Sequence, residues 1–264
     1  MFPFKDNIPT DRFPVVTVVL IALNVIAYLF WQRGGISLGD PSAGNPHYFT
    51  NLIDYAQFPY EITHPGDHCE AVQNGAIACE GQPGVTGTAD PQPATWVTLF
   101  TSMFMHGGLL HLGGNMLFLW VFGNNVEDSM GPVKYIVFYL LGGLAATAGQ
   151  VLVDPDAAVP SIGASGAVAA VLGGYILLFP RARVVTVIFI VFFFTIVELP
   201  ALLILGFWFI QQVLFGYFDL NSGGEGGGVA YFAHIGGFVF GLAAIKLFAD
   251  ERKRRRQEEA AWRR

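Results

Sequence analysis

The apolar residues of this chain fall into long blocks, roughly 14–32, 107–123, 134–153, 162–179, 186–217 and 232–249. Each is close to or beyond the roughly 20 residues that a helix needs to cross a bilayer. Blocks 107–123 and 162–179 are a little short, which a helix tolerates when it starts below the outer surface and sits inside a bundle. Block 186–217 is too long for one straight span. Pro200 marks a break in it, with 184–197 partly interfacial and the crossing after about Glu198. The pattern predicts six transmembrane helices in an all-α membrane protein. Its parts are an N-terminus at 1–13, a membrane domain at 14–249 with a long loop at 33–95, and a basic tail at 250–264.

Composition agrees with the blocks. The chain is 53% hydrophobic and 13% charged over 264 residues, against about a quarter charged in soluble domains. A net charge of -6 argues against a nucleic-acid partner. No small-residue cleavage site follows the first apolar block, so that block reads as a retained helix rather than a signal peptide. No internal repeat is evident.

Charge orients the blocks. With the N-terminus, the loops after the second and fourth helices and the tail on one side, that side holds 13 of the 14 Lys and Arg residues, and Arg33 alone lies opposite. The positive-inside rule places the basic side in the cytoplasm. The loop 33–95 and the loops near 154–161 and 218–231 then face outward. One span more or fewer would scramble the split. The expectation is a multi-pass protein of the cell membrane with both termini cytoplasmic.

The loop 33–95 is rich in Gly, Pro and Asp and holds both cysteines, Cys69 and Cys79. An oxidising outer compartment permits a disulfide between them. Two free thiols, or a metal held by His64, His68, Cys69 and Cys79, are the alternatives, although that spacing matches no familiar zinc pattern.

Three short stretches carry candidate chemistry. Ser165 lies in Gly163-Ala164-Ser165-Gly166, and small residues at 166, 170 and 174 form one narrow helix face. His234 precedes the GxxxG of Gly237 and Gly241. Such faces let membrane helices approach backbone to backbone. Packing alone accounts for the glycines, but it does not ask for a serine and a histidine at the head of the same faces. Intramembrane ionisable residues are functional candidates by default. In the second block, His111 and Asn115 lie four apart on one helix face. Each alone reads as an interhelical hydrogen bond; together, near Ser165, they read as donors to an oxyanion, with the main-chain N–H groups of Ser165 and Ala164. Ser165 to Arg181, His234 to Asp250 and His111 to Glu127 are each 16 residues, or about 24 Å of helix. In a core roughly 30 Å thick all three groups fall at one level, on the order of 6 Å below the outer edge. His106, nearer the surface, reads as a structural residue holding the loop.

On these residues the chain resembles the rhomboid family of intramembrane serine proteases. The resemblance rests on His111 and Asn115 as HxxxN, on the GxSG around Ser165, and on Ala233-His234-Ile235-Gly236-Gly237. It extends from about Pro14 to Phe248. It implies a six-helix rhomboid-like bundle, a Ser165–His234 dyad with no acidic third member, and catalysis without metal or cofactor. It also implies transmembrane protein substrates within the lipid bilayer, cut near the outer face. A catalytically weak or inactive relative that binds membrane-protein clients is the alternative. Some family members carry a Tyr four residues after the nucleophile that stacks on the base; this chain has Ala169, so another group must orient His234.

Other polar residues support weaker readings. Glu198, expected at the inner end of the fifth helix far from Ser165, reads as structural or interfacial. Gln211 and Gln212 read as lining a substrate entrance or as bonding to neighbouring helices. The run Arg252-Lys253-Arg254-Arg255-Arg256 reads as an anchor that attracts anionic lipid.

Overall fold

The computed structural model describes residues 2–36, 38, 45–72, 76–190, 193–221 and 229–262. Arg263 and Arg264 of the basic tail, 222–228 of the predicted loop 218–231, and 37, 39–44 and 73–75 of the long loop lie outside the described residues.

The chain opens with strand β1 (Phe2–Asp6) and helix α1 (Val15–Ile26), which a π-helical stretch, Ala27–Trp31, prolongs. The long loop forms α2 (Pro46–Tyr55), α3 (Pro59–Thr63) and a small hairpin of β2 (Cys69–Ala71) and β3 (Ile77–Cys79). Next come α4 (Thr95–Thr101), a 3-10 turn at Ser102–Phe104 and α5 (Leu109–Phe118). A second π stretch, Leu119–Gly123, joins α5 to α6 (Asn124–Met130) without a break. Then follow α7 (Pro132–Val153), α8 (Ser165–Leu178), a hairpin of β4 (Arg183–Ile190) and β5 (Phe193–Pro200), α9 (Ala201–Asn221), α10 (Tyr231–Phe248) and α11 (Glu251–Trp262).

The molecule is mostly helical, and a helical run overlaps each predicted apolar block. Among the described residues three helices, α7, α9 and α10, are long and apolar enough to cross a membrane; α8 and the run Val15–Trp31 are shorter. The shortness of α8 has a packing reason. Of its 14 residues 12 are buried, and it sits against both α7 and α10. A helix apolar and buried all round is a core element. The outer helices do the reverse and expose large apolar side chains, among them Leu23 and Phe30, Val137 and Leu141, Phe207 and Ile210, and Val239. Contiguous apolar surface on that scale marks contact with another apolar phase.

Glycines set how closely the core helices meet. A Cβ on Gly237 would run into the Gly166 carbonyl, one on Gly241 into the Ala170 carbonyl, and one on Gly173 into the Phe238 carbonyl. These are backbone atoms that cannot rotate away. The α7 face was not singled out from the sequence, yet it works the same way. A Cβ on Gly149 would come 2.7 Å from the Phe232 carbonyl oxygen, and one on Gly236 would come 2.9 Å from that of Ala145.

Buried polar side chains pin the end of the bundle away from Ser165. Glu127 accepts from the Val16 N–H (3.0 Å), the Thr17 N–H (2.8 Å) and the Thr17 hydroxyl (2.8 Å). It thereby satisfies first-turn amides that α1 cannot satisfy itself. Asp6, at the end of β1, accepts from Asn125 Nδ2 at 2.5 Å and from the Tyr175 hydroxyl. Burial pushes its carboxyl from 3.8 up to about 7, although the Tyr175 bond works against the rise.

Two expectations need correction. The fold is not purely helical: β1, β4 and β5 form an antiparallel sheet in the order β1-β4-β5. The residues 184–197, expected as an interfacial lead-in, make most of this hairpin, and the helix starts at Ala201 just after Pro200. Hydropathy could not separate the two, because β-branched and aromatic residues are as apolar as helix formers while favouring strands. Glu198 is therefore on β5, not in a helix. It lies 3.5 Å from Arg183, and both are about half exposed, a pair worth at most about 1 kcal/mol. The basic tail also folds back. Asp250 N–H donates to the Ser129 carbonyl at 2.9 Å, Gln257 reaches Asp128 at 3.2 Å, and Ala261 is buried, so α11 docks against α6.

Two outcomes follow from this packing. Gly241→Leu should drive α8 and α10 apart at the Ala170 carbonyl and destabilise the protein by at least the 1–3 kcal/mol or so typical of overpacking; an unchanged thermal midpoint in detergent would contradict the close approach. The folded state holds the Asp6 proton more tightly than the unfolded chain. That contribution is full below about pH 4 and is lost as pH rises toward about 7. Asp6→Asn should remove this segment of the pH dependence of stability, and parallel wild-type and variant melting curves across that window would refute it.

Candidate active site

Ser165 is the first residue of α8, and the turn before it explains why. Gly163 has φ +123, and a Cβ there would come 2.8 Å from His111 Nε2. Only glycine suits that backbone and that space. Ala164 is helical at φ -66, ψ -10, fully buried, and its carbonyl accepts from the Val168 N–H at 2.9 Å. The N–H groups of Ser165, Gly166 and Ala167 therefore head the helix without intrahelical acceptors. Amides so arranged favour negative charge beside them.

The structure brings the other candidates to this point. His234, in the first turn of α10, holds Nε2 2.8 Å from Ser165 Oγ. His111, in the first turn of α5, accepts at Nδ1 from the Gly107 N–H at 3.2 Å. A ring nitrogen that accepts leaves the other as the N–H of the neutral ring. The proton of His111 thus sits on Nε2, the atom beside Gly163 and near Ser165. Asn115, one turn further along α5, is 8% exposed, and its Nδ2 has no hydrogen-bond partner among the described residues. Buried donors without partners are uncommon and call for a reason. Ser165, His234, His111 and Asn115 all line one cavity of about 950 Å³.

His106 is fully buried and belongs to the support. Its carbonyl accepts from Gln32 Nε2 and the Tyr48 hydroxyl, each at 3.0 Å, and its N–H donates to Gln32 Oε1 at 2.9 Å. It ties the end of α1 and the loop helix α2 to the start of α5, and its ring meets His111 edge-on at 5.1 Å.

Of the two glutamines noted in the sequence, Gln212 is the one at the site. Its Oε1 lies 2.8 Å from His234 Nδ1. Ala169 is buried on α8 facing Gly237. The ring beside His234 is Trp208, at 5.8 Å between centroids. A polar residue in an apolar block was the only available signal, and two adjacent glutamines carried it equally.

The long loop braces the approach to Ser165. Cys69 and Cys79 form a disulfide, which takes both thiols from the metal alternative. Ile53, Ala56, Phe58, Tyr60 and the two cysteines make a small core of their own, against which Ala158 and Ile162 pack. Gln57 and Ser161 exchange both main-chain hydrogen bonds, at 3.2 and 2.8 Å. Glu61 is buried beneath the hairpin, where it accepts from the Cys69 N–H at 2.9 Å; burial raises its carboxyl above the usual range. The loop therefore grips the strand-like segment that leads into Gly163.

The Rhomboid domain family model matches residues 93–251, about three-fifths of the chain. The chain belongs to the rhomboid family. Rhomboid protein 1, mitochondrial, of Saccharomyces cerevisiae is 30% identical over 179 residues, covering 63% of this chain and 47% of that protein. Rhomboid protease GluP of Bacillus subtilis is 31% identical over 58% of this chain and 26% of its own length. RHOMBOID-like protein 12, mitochondrial, of Arabidopsis thaliana is 33% identical over 56% of this chain and 44% of its own. The chain spans half the length or less of these relatives. Membership in this membrane-protein family, with the apolar helices described above, makes the chain a membrane protein. The matched rhomboid region contains α5 through α10 and all of the residues gathered around Ser165.

Because the disulfide closes the Cys69–Cys79 hairpin, whose cysteines share a small core with Phe58 and Tyr60 next to Gln57, replacing both cysteines (Cys69→Ala with Cys79→Ala) should loosen the loop by roughly 2–3 kcal/mol. Limited proteolysis should then cut within 57–90 well before the helical core is attacked; equal resistance with and without the disulfide would count against its bracing role.

Proposed function

We propose that this rhomboid is an intramembrane serine endopeptidase acting through a Ser165–His234 dyad. The observation that carries the reading is the 2.8 Å approach of His234 Nε2 to Ser165 Oγ at the mouth of an otherwise apolar core. Ser165 Oγ attacks the scissile carbonyl carbon while His234 Nε2 takes its proton. The carbonyl oxygen becomes an oxyanion, which accepts from the Ser165 main-chain N–H, His111 Nε2–H and Asn115 Nδ2, with the Ala164 N–H as a further donor. When the intermediate collapses, the C–N bond breaks and His234 returns the proton to the leaving amine. Water, deprotonated by His234, then attacks the acyl ester and frees Ser165. The residues call for no metal or cofactor.

The proposed substrates are transmembrane proteins. A helical amide is shielded by its own hydrogen bond, so a substrate segment must unwind at its end to reach Ser165. The proposed arrangement has six crossings, both termini cytoplasmic and the dyad toward the outer face of the cell membrane; the 13-to-1 charge split supports it. Cleavage would then fall near the outer boundary of the substrate.

In liposomes carrying a reporter transmembrane substrate, wild-type protein should cleave and Ser165→Ala should not. His234→Ala should be equally inactive, and the double variant no worse, because the pair acts as a unit. Asn115→Ala should lower kcat by about 10²–10³ with KM little changed, since an oxyanion donor acts mainly in the transition state. Chelators should leave the rate unaltered. Cleavage surviving in the purified Ser165→Ala protein would refute the nucleophile, and a folded wild type that binds the reporter but never cuts it would favour the client-binding alternative.

A further inference from the structure

We propose that Gln212 is the positioning residue of the base: its amide holds His234 as the Nδ1–H tautomer, so that Nε2 is the atom free to take the Ser165 proton. The catalytic role of this arrangement rests on the peptidase reading above; the hydrogen-bond arrangement does not.

The amide can face only one way. Gln212 bonds at its Nε2 to the Trp208 carbonyl, one turn earlier on α9, at 3.4 Å. A carbonyl oxygen can only accept, so the NH2 end of the amide belongs there. The Oε1 end is then the atom 2.8 Å from His234 Nδ1, and it can only accept. Nδ1 must carry the ring proton. Nε2 is left with its lone pair, 2.8 Å from Ser165 Oγ, and the serine hydroxyl is the donor in that bond. Reversing the amide would set two acceptor oxygens against each other at Trp208. It would also force a proton onto Nε2, where it would point at the nucleophile it should deprotonate.

Burial keeps the arrangement in place. Gln212 is 8% exposed, and the Trp208 ring beside the imidazole restricts its rotation. Ala169, beneath the site, offers no group that could bond Nδ1. The neutral amide takes the orienting part that a buried carboxylate plays in a Ser-His-Asp triad without placing a charge in the bilayer. Once His234 is protonated, the same Nδ1–H···Oε1 bond becomes charge-assisted and stronger.

The test uses the full chain in lipid with 15N-labelled histidine, the His234 signals being identified by their loss in His234→Ala. Wild type should show Nδ1–H at His234. Gln212→Leu should mix in the Nε2–H tautomer and lower kcat by roughly 10–100-fold, by analogy with the partners that orient metal-binding histidines, with KM within about twofold. Gln212→Glu, which restores an acceptor at the same reach, should recover most of the rate. A wild type dominated by Nε2–H would overturn the proposal without need of any variant. So would a Leu variant of unchanged tautomer and kcat, or a Glu variant as slow as Leu while melting normally. A wild type that cleaves nothing yet shows the Gln212-dependent tautomer would sink the peptidase reading and support the hydrogen-bond assignment.

Discussion

Everything at the site depends on how closely α8 approaches α10. Serine has a one-carbon side chain, so a histidine on another helix can meet it only where the two backbones nearly touch. Gly237, Gly241 and Gly173 remove the side chains that would prevent this, each facing a backbone carbonyl of the opposite helix. In a bilayer, apolar burial gives helices little reason to prefer one another over lipid, and close packing decides which faces meet. The glycine contacts therefore do two things at once. They hold the buried helix α8 in the bundle, and they set the 2.8 Å distance between Ser165 Oγ and His234 Nε2. The small face of α7 extends the same packing around the other side of the pair.

Two sets of buried polar groups matter to the site. One set is tied into specific hydrogen bonds: Glu127 on the first turn of α1, Asp6 with Asn125 and Tyr175, and Gln32 and Tyr48 with the backbone of His106. In a low-dielectric interior an unpaired member of such a set is costly, so these groups give each end of the bundle a single register. The other set lies around Ser165, where Asn115 Nδ2 has no hydrogen-bond partner among the described residues and the first amides of α8 have no acceptor within their own helix. Groups left unsatisfied in a resting fold stabilise charge that develops only during reaction. Receptive donors held within a firmly bonded scaffold are the electrostatic layout that the proposed chemistry needs.

The disulfide-braced loop adds a third element. It has a small core of its own rather than lying as loose chain, and it holds Ser161 through main-chain bonds with Gln57 and Ala157 through the Tyr60 N–H. The backbone entering Gly163 is thus gripped from both sides, by this loop and by the Gly163 N–H bond to the Ser102 carbonyl at 2.9 Å.

Much of this was legible in the residues alone. Long apolar blocks located the helical runs, because apolarity over about 20 residues is a one-dimensional property. The spacing of His111 and Asn115, the GxSG turn and the His234 segment named the groups around Ser165, because helix periodicity carries local geometry. The hairpin at 183–200 was not legible as a sheet, since Val, Ile and Phe are equally apolar in either form and only pairing with β1 decides between them. The docking of α11 was hidden for a related reason: a run of five basic residues announces charge, and only contact with α6 makes Gln257 and Ala261 matter. The choice between Gln211 and Gln212 had no local signal at all. Adjacent helix positions differ by about 100° in direction, and which of them meets His234 depends on the rotation of α9 about its own axis. Packing against α8 and α10 sets that rotation, and no periodicity within α9 records it.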